Sequence, residues 1–512
     1  MSNIGIIGRN IRFSFLNNIL SIIVAFFLFP FIVRHTGQEL YGVYLIVMTV
    51  TGYFMLLDMG VGSATIKYIS EYNGANNVEG INKIINASLS FYAVIGLIAS
   101  FFLFLCSLYF NRFFNIDLQN LTLARQLFTI AAISSLITWP LSIFRFTVQG
   151  LNLWDIEAMV NMAVQSLNAL FAIAIFAAGY GIVLYVIVTQ VLSFIACIVF
   201  FFISKKKISL KISFSFLDIK TLKIIFKFST FMFLSSLISI FLFQIHNFII
   251  GYFISLSAVT IYAVAYNIQN YFRTINSSIG SPPYTMASEM EGRNDYHGQV
   301  MLVFKGTKFM SAIFLPVVLI MLFFAEPFIN YWMGPGFKES VLPARIIILF
   351  WLFNGTITPA LNILTAKGIV RKPFFITIFV AMANIIIGIS LIKFIGITAI
   401  ALGLSLSMIF IGVPFYLKLS LGSLKISFRE YFNNAVKGNL ILYIFVTVFS
   451  FIILRYCYPP NIYFTFGEMA ALYLISLSLY YAIMLNTGEK TEIRKLAGIE
   501  KFCIAYNNRR AQ

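Results

Sequence analysis

The chain has 512 residues, of which 60% are hydrophobic and only 11% are charged, and its mean hydropathy is +0.91. A soluble globular domain carries roughly twice that charged fraction. The composition therefore excludes a soluble globule and predicts an all-α integral membrane protein. The formal net charge of +18 does not indicate nucleic-acid binding, because the cations are scattered without a basic domain that could hold a duplex.

Apolar segments of roughly twenty residues, the length that crosses a hydrocarbon core of about 30 Å, recur along the whole chain. We predict about fourteen transmembrane helices, at residues 13–33, 41–63, 86–108, 127–148, 158–178, 182–203, 229–251, 258–279, 306–325, 342–364, 373–392, 397–417, 438–455 and 467–486. Residues 280–305, the longest inner connection, are predicted to form a loop. The first span lacks a small-residue cleavage site and is expected to remain as a helix.

Placed end to end, these spans put 29 of the 36 Lys and Arg residues on one side of the membrane. Positive residues in short loops mark the cytoplasmic side. We therefore predict that both termini are cytoplasmic. The strongest cationic anchor is the loop at residues 205–228, which contains Lys205, Lys206, Lys207, Lys211, Lys220, Lys223 and Lys227.

Motifs for metal binding and for enzyme chemistry are missing from the sequence. The four cysteines and three histidines have no spacing typical of a zinc or redox site. A GxxxxGK phosphate loop, an HExxH motif and a GxSxG elbow are also absent. We therefore expect a protein that is not an enzyme and that needs no metal or cofactor.

Three landmarks of the first half recur in the second half at nearly the same interval. The pairs are Phe31 and Phe248, Gly150 and Gly368, and Gly181 and Gly396, separated by 217, 218 and 215 residues. This agreement predicts a duplication of six spans. Because six is an even number, both lobes would have the same orientation in the membrane.

The predicted architecture is two six-helix lobes around a central cleft, plus two extra helices. The boundaries are residues 1–204 for the first lobe, 205–228 for a basic connecting loop, 229–420 for the second lobe, and 421–512 for the last two helices and a cytoplasmic tail. Rocking of such lobes exposes a site at the membrane midplane alternately to each side. The repeat therefore indicates a transporter.

Several short runs resemble polysaccharide-biosynthesis flippases of the Wzx type. They are FIVRHTGQELYGVY at 31–44, LDMGVGSA at 57–64, YISEY at 68–72, NFIIGYF at 247–253, IYAVAY at 261–266 and YWMGP at 331–335. The runs occur in the order and at the topological places that this family has. The resemblance covers the chain to about residue 420, and the last two spans are less distinctive.

This resemblance implies the multidrug, oligosaccharidyl-lipid and polysaccharide exporter fold in a bacterial cytoplasmic membrane. The implied activity is moving a polyprenyl-diphosphate-linked oligosaccharide from the inner to the outer leaflet, for O-antigen or capsule assembly. Membrane lipid, a polysaccharide polymerase and chain-length machinery would be its partners. The alternatives are an ion-coupled multidrug antiporter of the same fold and a membrane-embedded polysaccharide polymerase.

Polar residues inside the predicted spans are the candidates for the substrate site, because a sugar diphosphate needs cations and hydrogen-bonding groups within the membrane. They are Arg273, Arg145, Gln269, Asn270, Gln244, His246, Asn247, Asn17 and Asn18. Arg273 is the leading diphosphate contact, since arginine offers a bidentate fork to phosphate oxygens. The alternative for Arg273 is snorkelling to the inner head groups.

Asp58 is predicted to be the one acidic residue clearly within a span. An intramembrane carboxylate is costly, so it should be paired, protonated or facing water. We predict two alternatives for Asp58, a coupling-proton site or structural pairing with Arg145 or Lys67. One acidic residue and two arginines lie near the cytoplasmic ends of the predicted spans. This charge balance favours an anionic substrate over an organic cation.

Overall fold

The computed structural model describes residues 3–112, 118–212, 245–369, 371–485 and 488–490, and nearly all of these residues are helical, without a strand among them. The all-α prediction is confirmed. The α-helices are α1 (Asn3–Thr36), α2 (Gln38–Tyr53), α3 (Val61–Gly74), α4 (Val78–Tyr109), α5 (Leu118–Gly150), α6 (Trp154–Ala177), α7 (Ile182–Lys207), α8 (Ile245–Phe253), α9 (Leu256–Gly292), α10 (Tyr296–Trp332), α11 (Val341–Asn354), α12 (Thr358–Ala366), α13 (Arg371–Ile395), α14 (Thr398–Ser407), α15 (Val413–Ser423), α16 (Phe428–Tyr431), α17 (Leu440–Tyr456) and α18 (Ile462–Leu479).

Eleven helical segments of the described chain are long and apolar enough to cross a membrane, or up to twelve if a bent pair counts as one span. The count of fourteen remains a prediction. Most of the predicted span at 229–251 lies outside the described residues. Helix α9 is not among the eleven because Asn267, Gln269, Asn270 and Arg273 lower its hydropathy.

The predicted loop at residues 280–305 is wrong. Helix α9 continues to Gly292, and α10 begins at Tyr296, so only three residues connect them. Hydropathy reports where the hydrocarbon ends, whereas helical hydrogen bonds continue into the aqueous layer.

The predicted span at 342–364 is broken into two helices. The segments Pro335–Asn354 and Thr358–Ala366 meet at an angle of 56°. Gly355 lies at this break, and a Cβ atom there would collide with the ring of Phe314. The missing side chain therefore permits close packing where the span bends.

The chain divides into two compact units, and the first comprises residues 1–264 and 385–400. Helices α3, α4, α5 and α7 build its main core, which contains the fully buried side chains of Ile85, Tyr92 and Phe144. Helix α6 packs between α1 and α7 on the same unit. This arrangement holds the polar side chains of α6 against two neighbouring helices.

The start of α2, just after the first repeated landmark, contacts the start of α9, just after the counterpart of that landmark, and both belong to the first unit. Gly42 of α2 packs so closely on the backbone carbonyl of Leu256 that any Cβ atom would collide with it. The Thr260 hydroxyl donates to the Gln38 carbonyl at 2.6 Å. Glycine at position 42 is therefore required by close packing of α2 against α9.

The second unit comprises residues 265–384 and 401–512. Its central helix is α10. In the apolar stretch of this helix 72% of the residues are buried, which is the largest share of any candidate span. The rings of Phe314 and Phe324 on α10 are completely buried. Helices α11, α17 and α18 all pack against α10.

Candidate functional site

Four polar residues form a line along helix α6. Glu157, Asn161, Gln165 and Asn168 follow one another at intervals of four, four and three residues. This spacing places them on one helix face, over a rise of about 16 Å. We name these four residues the α6 polar face. It extends through roughly half of a hydrocarbon core of about 30 Å.

One end of the α6 polar face holds an ion pair with α5. The Arg145 Nη2 and Nε atoms lie 2.7 Å and 2.9 Å from the Glu157 Oε1 atom. Asn161 donates to the same oxygen at 2.7 Å. The Glu157 side chain is 9% exposed and that of Arg145 is 48% exposed. A buried carboxylate therefore orients an arginine that remains accessible.

The middle of the α6 polar face bonds to α1. The Gln165 Oε1 atom accepts from the Ser21 hydroxyl at 2.8 Å, and its Nε2 atom donates to the Asn17 Oδ1 atom at 3.3 Å. Asn17 is half-buried, whereas the neighbouring Asn18 is exposed. The structure thus brings the predicted residue Asn17 to the α6 polar face.

The other end of the α6 polar face contacts α7. The Thr189 hydroxyl donates to the Asn168 Oδ1 atom at 3.0 Å, and the Asn168 Nδ2 atom donates to the Tyr185 hydroxyl at 3.4 Å. Asn161, Gln165 and Asn168 are all half-buried. Amides and hydroxyls of this kind hold helices together within a membrane and can also exchange partners with the hydroxyls of a sugar.

Asp58 lies at the end of a short 3₁₀ helix, Phe54–Asp58, that extends α2. Its Oδ2 and Oδ1 atoms accept from the backbone amides of Gly60 and Gly62 at 3.1 Å and 3.2 Å. The Tyr92 hydroxyl also donates to Oδ1. Gly60 has a φ of +76°, which favours glycine at this turn. Asp58 therefore caps the start of α3, and Arg145 pairs with Glu157 instead.

The prediction that Asp58 is the one acidic residue clearly within a span stays a prediction, because the bounds of a helix do not mark the bounds of the hydrocarbon. The candidate span Trp154–Ala177 contains Asp155 and Glu157, which are both buried. Sequence reasoning placed these two acids in a loop because the apolar stretch begins after them. Because Arg145 pairs with Glu157, the charge of this arginine does not by itself favour an anionic substrate.

Two predicted residues, His246 and Asn247, lie on α8 in the first unit. The Asn247 Nδ2 atom donates to the Thr49 hydroxyl of α2 at 2.9 Å. His246 is buried, and its ring centroid lies 5.9 Å from that of Tyr262. Gln244 lies outside the described residues. Asn247 and His246 therefore pack among α2 and α9.

The remaining predicted residues lie on α9 in the second unit. Gln269 is 1% exposed, and its Oε1 atom has no hydrogen-bond partner among the described residues. Asn270 is half-buried, and Arg273 is exposed. Gln269 and Arg273 are four residues apart and therefore share one helix face, but the long arginine side chain reaches the surface while the shorter amide remains buried.

Sequence reasoning missed Glu157, Ser21, Asn168 and Tyr185. The spacing of Glu157, Asn161 and Gln165 is a signal that could have identified the polar face. No comparable signal marks Ser21, because its role depends on the contact between α1 and α6. Within the described ranges, no group of three His, Cys, Asp or Glu residues could hold a metal ion.

Two solved structures share this architecture. An inward-facing multidrug resistance MATE family transporter of the MOP superfamily aligns with a TM-score of 0.68 and 14% identity, covering 80% of this chain and 95% of that one. The lipid II flippase MurJ, in an inward closed conformation, aligns with a TM-score of 0.66 and 18% identity, covering 92% and 98%. The fold therefore defines a multi-pass membrane protein of the MATE and MurJ architecture.

The sequence matches the family model of polysaccharide biosynthesis proteins over residues 7–284, and the MatE model over residues 231–390. The first match spans more than half of the chain, so the protein belongs to the polysaccharide biosynthesis protein family. This confirms the predicted resemblance. A curated relative, the uncharacterized membrane protein EpsK of Bacillus subtilis (strain 168), is 21% identical over 380 residues, which are 73% of this chain and 74% of the relative.

Proposed function

We propose that the protein is a flippase that moves a polyprenyl-diphosphate-linked oligosaccharide from the inner to the outer leaflet of a bacterial cytoplasmic membrane. The α6 polar face is the observation that carries this proposal. It offers a carboxylate, carboxamides and a neighbouring arginine along the depth of a membrane helix. The membership in the polysaccharide biosynthesis family supports the same substrate class.

These side chains meet the physical requirement for moving a sugar diphosphate across a membrane. A sugar diphosphate cannot enter hydrocarbon without losing its hydrogen bonds, and replacing them requires polar groups inside the membrane. Alternating access between lobes at residues 1–204 and 229–420 would expose such groups to each side in turn. The product would supply the polymerase and chain-length machinery that assemble O-antigen or capsule.

Arg273 and Arg145 are the proposed diphosphate contacts. Arg273 is exposed, and Gln269 and Asn270 lie within one turn of it on α9. Arg145 is half exposed and is oriented by Glu157. Both guanidinium groups can bind phosphate oxygens with two parallel hydrogen bonds. Asn17, Asn18, His246, Asn247 and Gln244 are proposed as weaker contacts to the sugar.

Asp58 is the proposed site for a coupling proton. It lies at the end of a candidate span and accepts a hydrogen bond from the hydroxyl of the buried Tyr92. Protonation would weaken its acceptance of the Gly60 and Gly62 amides and so loosen the start of α3. The protonation state of Asp58 would thereby control the geometry at the start of α3.

A deletion strain tests the proposed function. Loss of a flippase should remove surface polysaccharide and leave polyprenyl-linked repeat units on the inner leaflet, as measured by immunoblotting and by lipid extraction with leaflet-specific labelling. Unchanged surface polysaccharide together with hypersensitivity to drugs would support the antiporter instead and contradict the flippase.

Complementation of that strain tests the site. Arg273→Ala should abolish export at an unchanged protein level, whereas the matched control Arg371→Ala, at an exposed arginine of the same unit, should export normally. Asp58→Asn should be made at normal levels and lose export. Full export by either site variant would remove that residue from the proposal.

A further inference from the structure

Helices α9 and α10 of the second unit enclose a groove with a volume of about 470 Å³. This volume falls within the range of about 300–1,000 Å³ that is usual for small-molecule sites. Its walls are Ile279, Met286 and Met290 of α9, with Met301, Lys305 and Phe309 among the residues of α10. All of its lining residues belong to the second unit, whereas the α6 polar face belongs to the first unit.

The α10 wall of this groove is one continuous helix face. Its residues are Gly298, Met301, Leu302, Lys305, Gly306, Phe309, Met310 and Ile313. They follow alternating intervals of three and one, which keep side chains on the same face. Together with α9, the groove has four methionines, whose flexible and polarizable side chains adapt to irregular apolar partners. The lining therefore suits an alkyl chain.

The surface of the groove is accessible. Met286 and Met301 are 47% and 40% exposed, although both are large apolar side chains. Ile313, at the far end of the same face, is 39% exposed. These side chains are therefore open to contact with an apolar chain from outside the protein.

Lys305 is the charged residue among the described lining. Eight residues separate it from Ile313, a helical rise of about 12 Å. One leaflet occupies half of a hydrocarbon core of about 30 Å. An alkyl chain beside Phe309, Met310 and Ile313 would thus cross most of a leaflet when its head group lies at Lys305.

The neighbouring connection between α15 and α17 adds positive charge at this end of the unit. It packs on α10, because the Tyr296 hydroxyl donates to the Leu424 carbonyl, and Leu302 shares a core with Tyr431. Its exposed residues include Lys425, Phe428, Arg429, Phe432 and Lys437. Aromatic and basic residues of this kind are typical of a surface facing anionic head groups.

We propose that the groove binds an anionic glycerophospholipid of the cytoplasmic leaflet, with one acyl chain along α10 and the phosphate at Lys305. The predicted topology places this end of α10 on the cytoplasmic side. The lining residues belong to one unit and do not include the proposed diphosphate contacts.

Native mass spectrometry of the purified full-length protein tests this site. The protein is reconstituted in nanodiscs that contain equal amounts of phosphatidylglycerol and phosphatidylcholine. It is then released from them, and the lipids that remain bound are counted from the mass. We expect one retained phosphatidylglycerol. Lys305→Ala should weaken its retention about fivefold, since one basic residue near a membrane contributes about 1 kcal/mol. The control Lys418→Ala, at an exposed lysine outside the groove lining, should match the parent protein.

A second pair of variants tests the apolar part. Met301→Trp should fill the groove and abolish retention, whereas Met382→Trp, at a 54% exposed methionine outside the groove, should not. Equal retention of both lipids, or full retention by the Lys305→Ala and Met301→Trp variants, would overturn the proposal. Because no transport is measured, failure here is distinct from failure of the flippase function.

Discussion

At the scale of single residues, the ion pair between Arg145 and Glu157 combines a structural and a proposed functional role. Glu157 is buried, so it depends on Arg145 and Asn161 for compensation of its charge. The Arg145 side chain is half exposed and so remains partly accessible to a ligand. A single substitution would therefore disturb stability and substrate binding together.

A double substitution separates these two roles. Arg145→Ala should lower the free energy of unfolding by about 2 kcal/mol, because it leaves a buried carboxylate poorly compensated. Adding Glu157→Gln should restore stability, since the neutral amide still bonds to Asn161. Thermal unfolding in detergent measures the first effect. The amount of surface polysaccharide measures the effect on substrate binding. We expect no recovery of export in the double variant.

Recovery of both stability and export would show that Arg145 serves only as a partner of Glu157. The pairing of Arg145 with Glu157 could not be predicted from the sequence, because it depends on the packing of α5 against α6, whereas Asp58 caps α3 through the local backbone amides of Gly60 and Gly62. The sequence does show that Arg145, Asp58 and Asn17 are polar residues in apolar surroundings, which is enough to nominate them.

At the scale of elements, helix α10 forms polar contacts with residues near the C-terminal end of the described chain. The Lys308 Nζ atom lies 2.7 Å from the Glu489 Oε1 atom, and the two side chains are 20% and 8% exposed. Asn439, which is fully buried just before α17, donates to the Lys308 carbonyl and to the Ser311 hydroxyl at 2.8 Å and 2.7 Å. These contacts hold α17 and residues 488–490 on the second unit.

Removing one charge of this pair should destabilise the protein. Glu489→Gln leaves the mostly buried ammonium group of Lys308 without its counter-charge, at a cost of about 3 kcal/mol. We expect a lower midpoint of thermal unfolding in detergent. The control is Glu79→Gln, which breaks an exposed pair with Lys83 within α4 and should leave the midpoint unchanged. Equal midpoints for both variants would show that the Lys308 pair adds no stability.

The helix ends illustrate the limit of sequence reasoning about elements. Most predicted spans coincide with helices, because about twenty apolar residues in a row have few alternatives to a membrane helix. The ends differ, as in α9, which continues to Gly292, and α6, which begins at Trp154 before the apolar stretch. Backbone hydrogen bonding sets these ends, and hydropathy does not record it.

At the scale of the whole molecule, the charge bias predicts an orientation that native cysteines can test. The predicted topology places only Cys457 on the outer side, and this residue is exposed just after α17. A membrane-impermeant maleimide should therefore label intact cells at one site, and Cys457→Ser should abolish the labelling. Labelling that requires permeabilised cells, or that persists in the variant, would contradict cytoplasmic termini.

The sequence alone determined the class of protein, the approximate spans, the family resemblance and the predicted repeat and orientation. These properties follow from composition, from runs of apolar residues and from local motifs, and none of them requires knowledge of which helices touch. The tertiary structure decided that Glu157 pairs with Arg145, that Asn17 and Ser21 meet Gln165, and that α9 and α10 enclose a groove. Each of these contacts depends on how the helices are rotated and packed. Residues that are far apart in the chain decide that packing jointly.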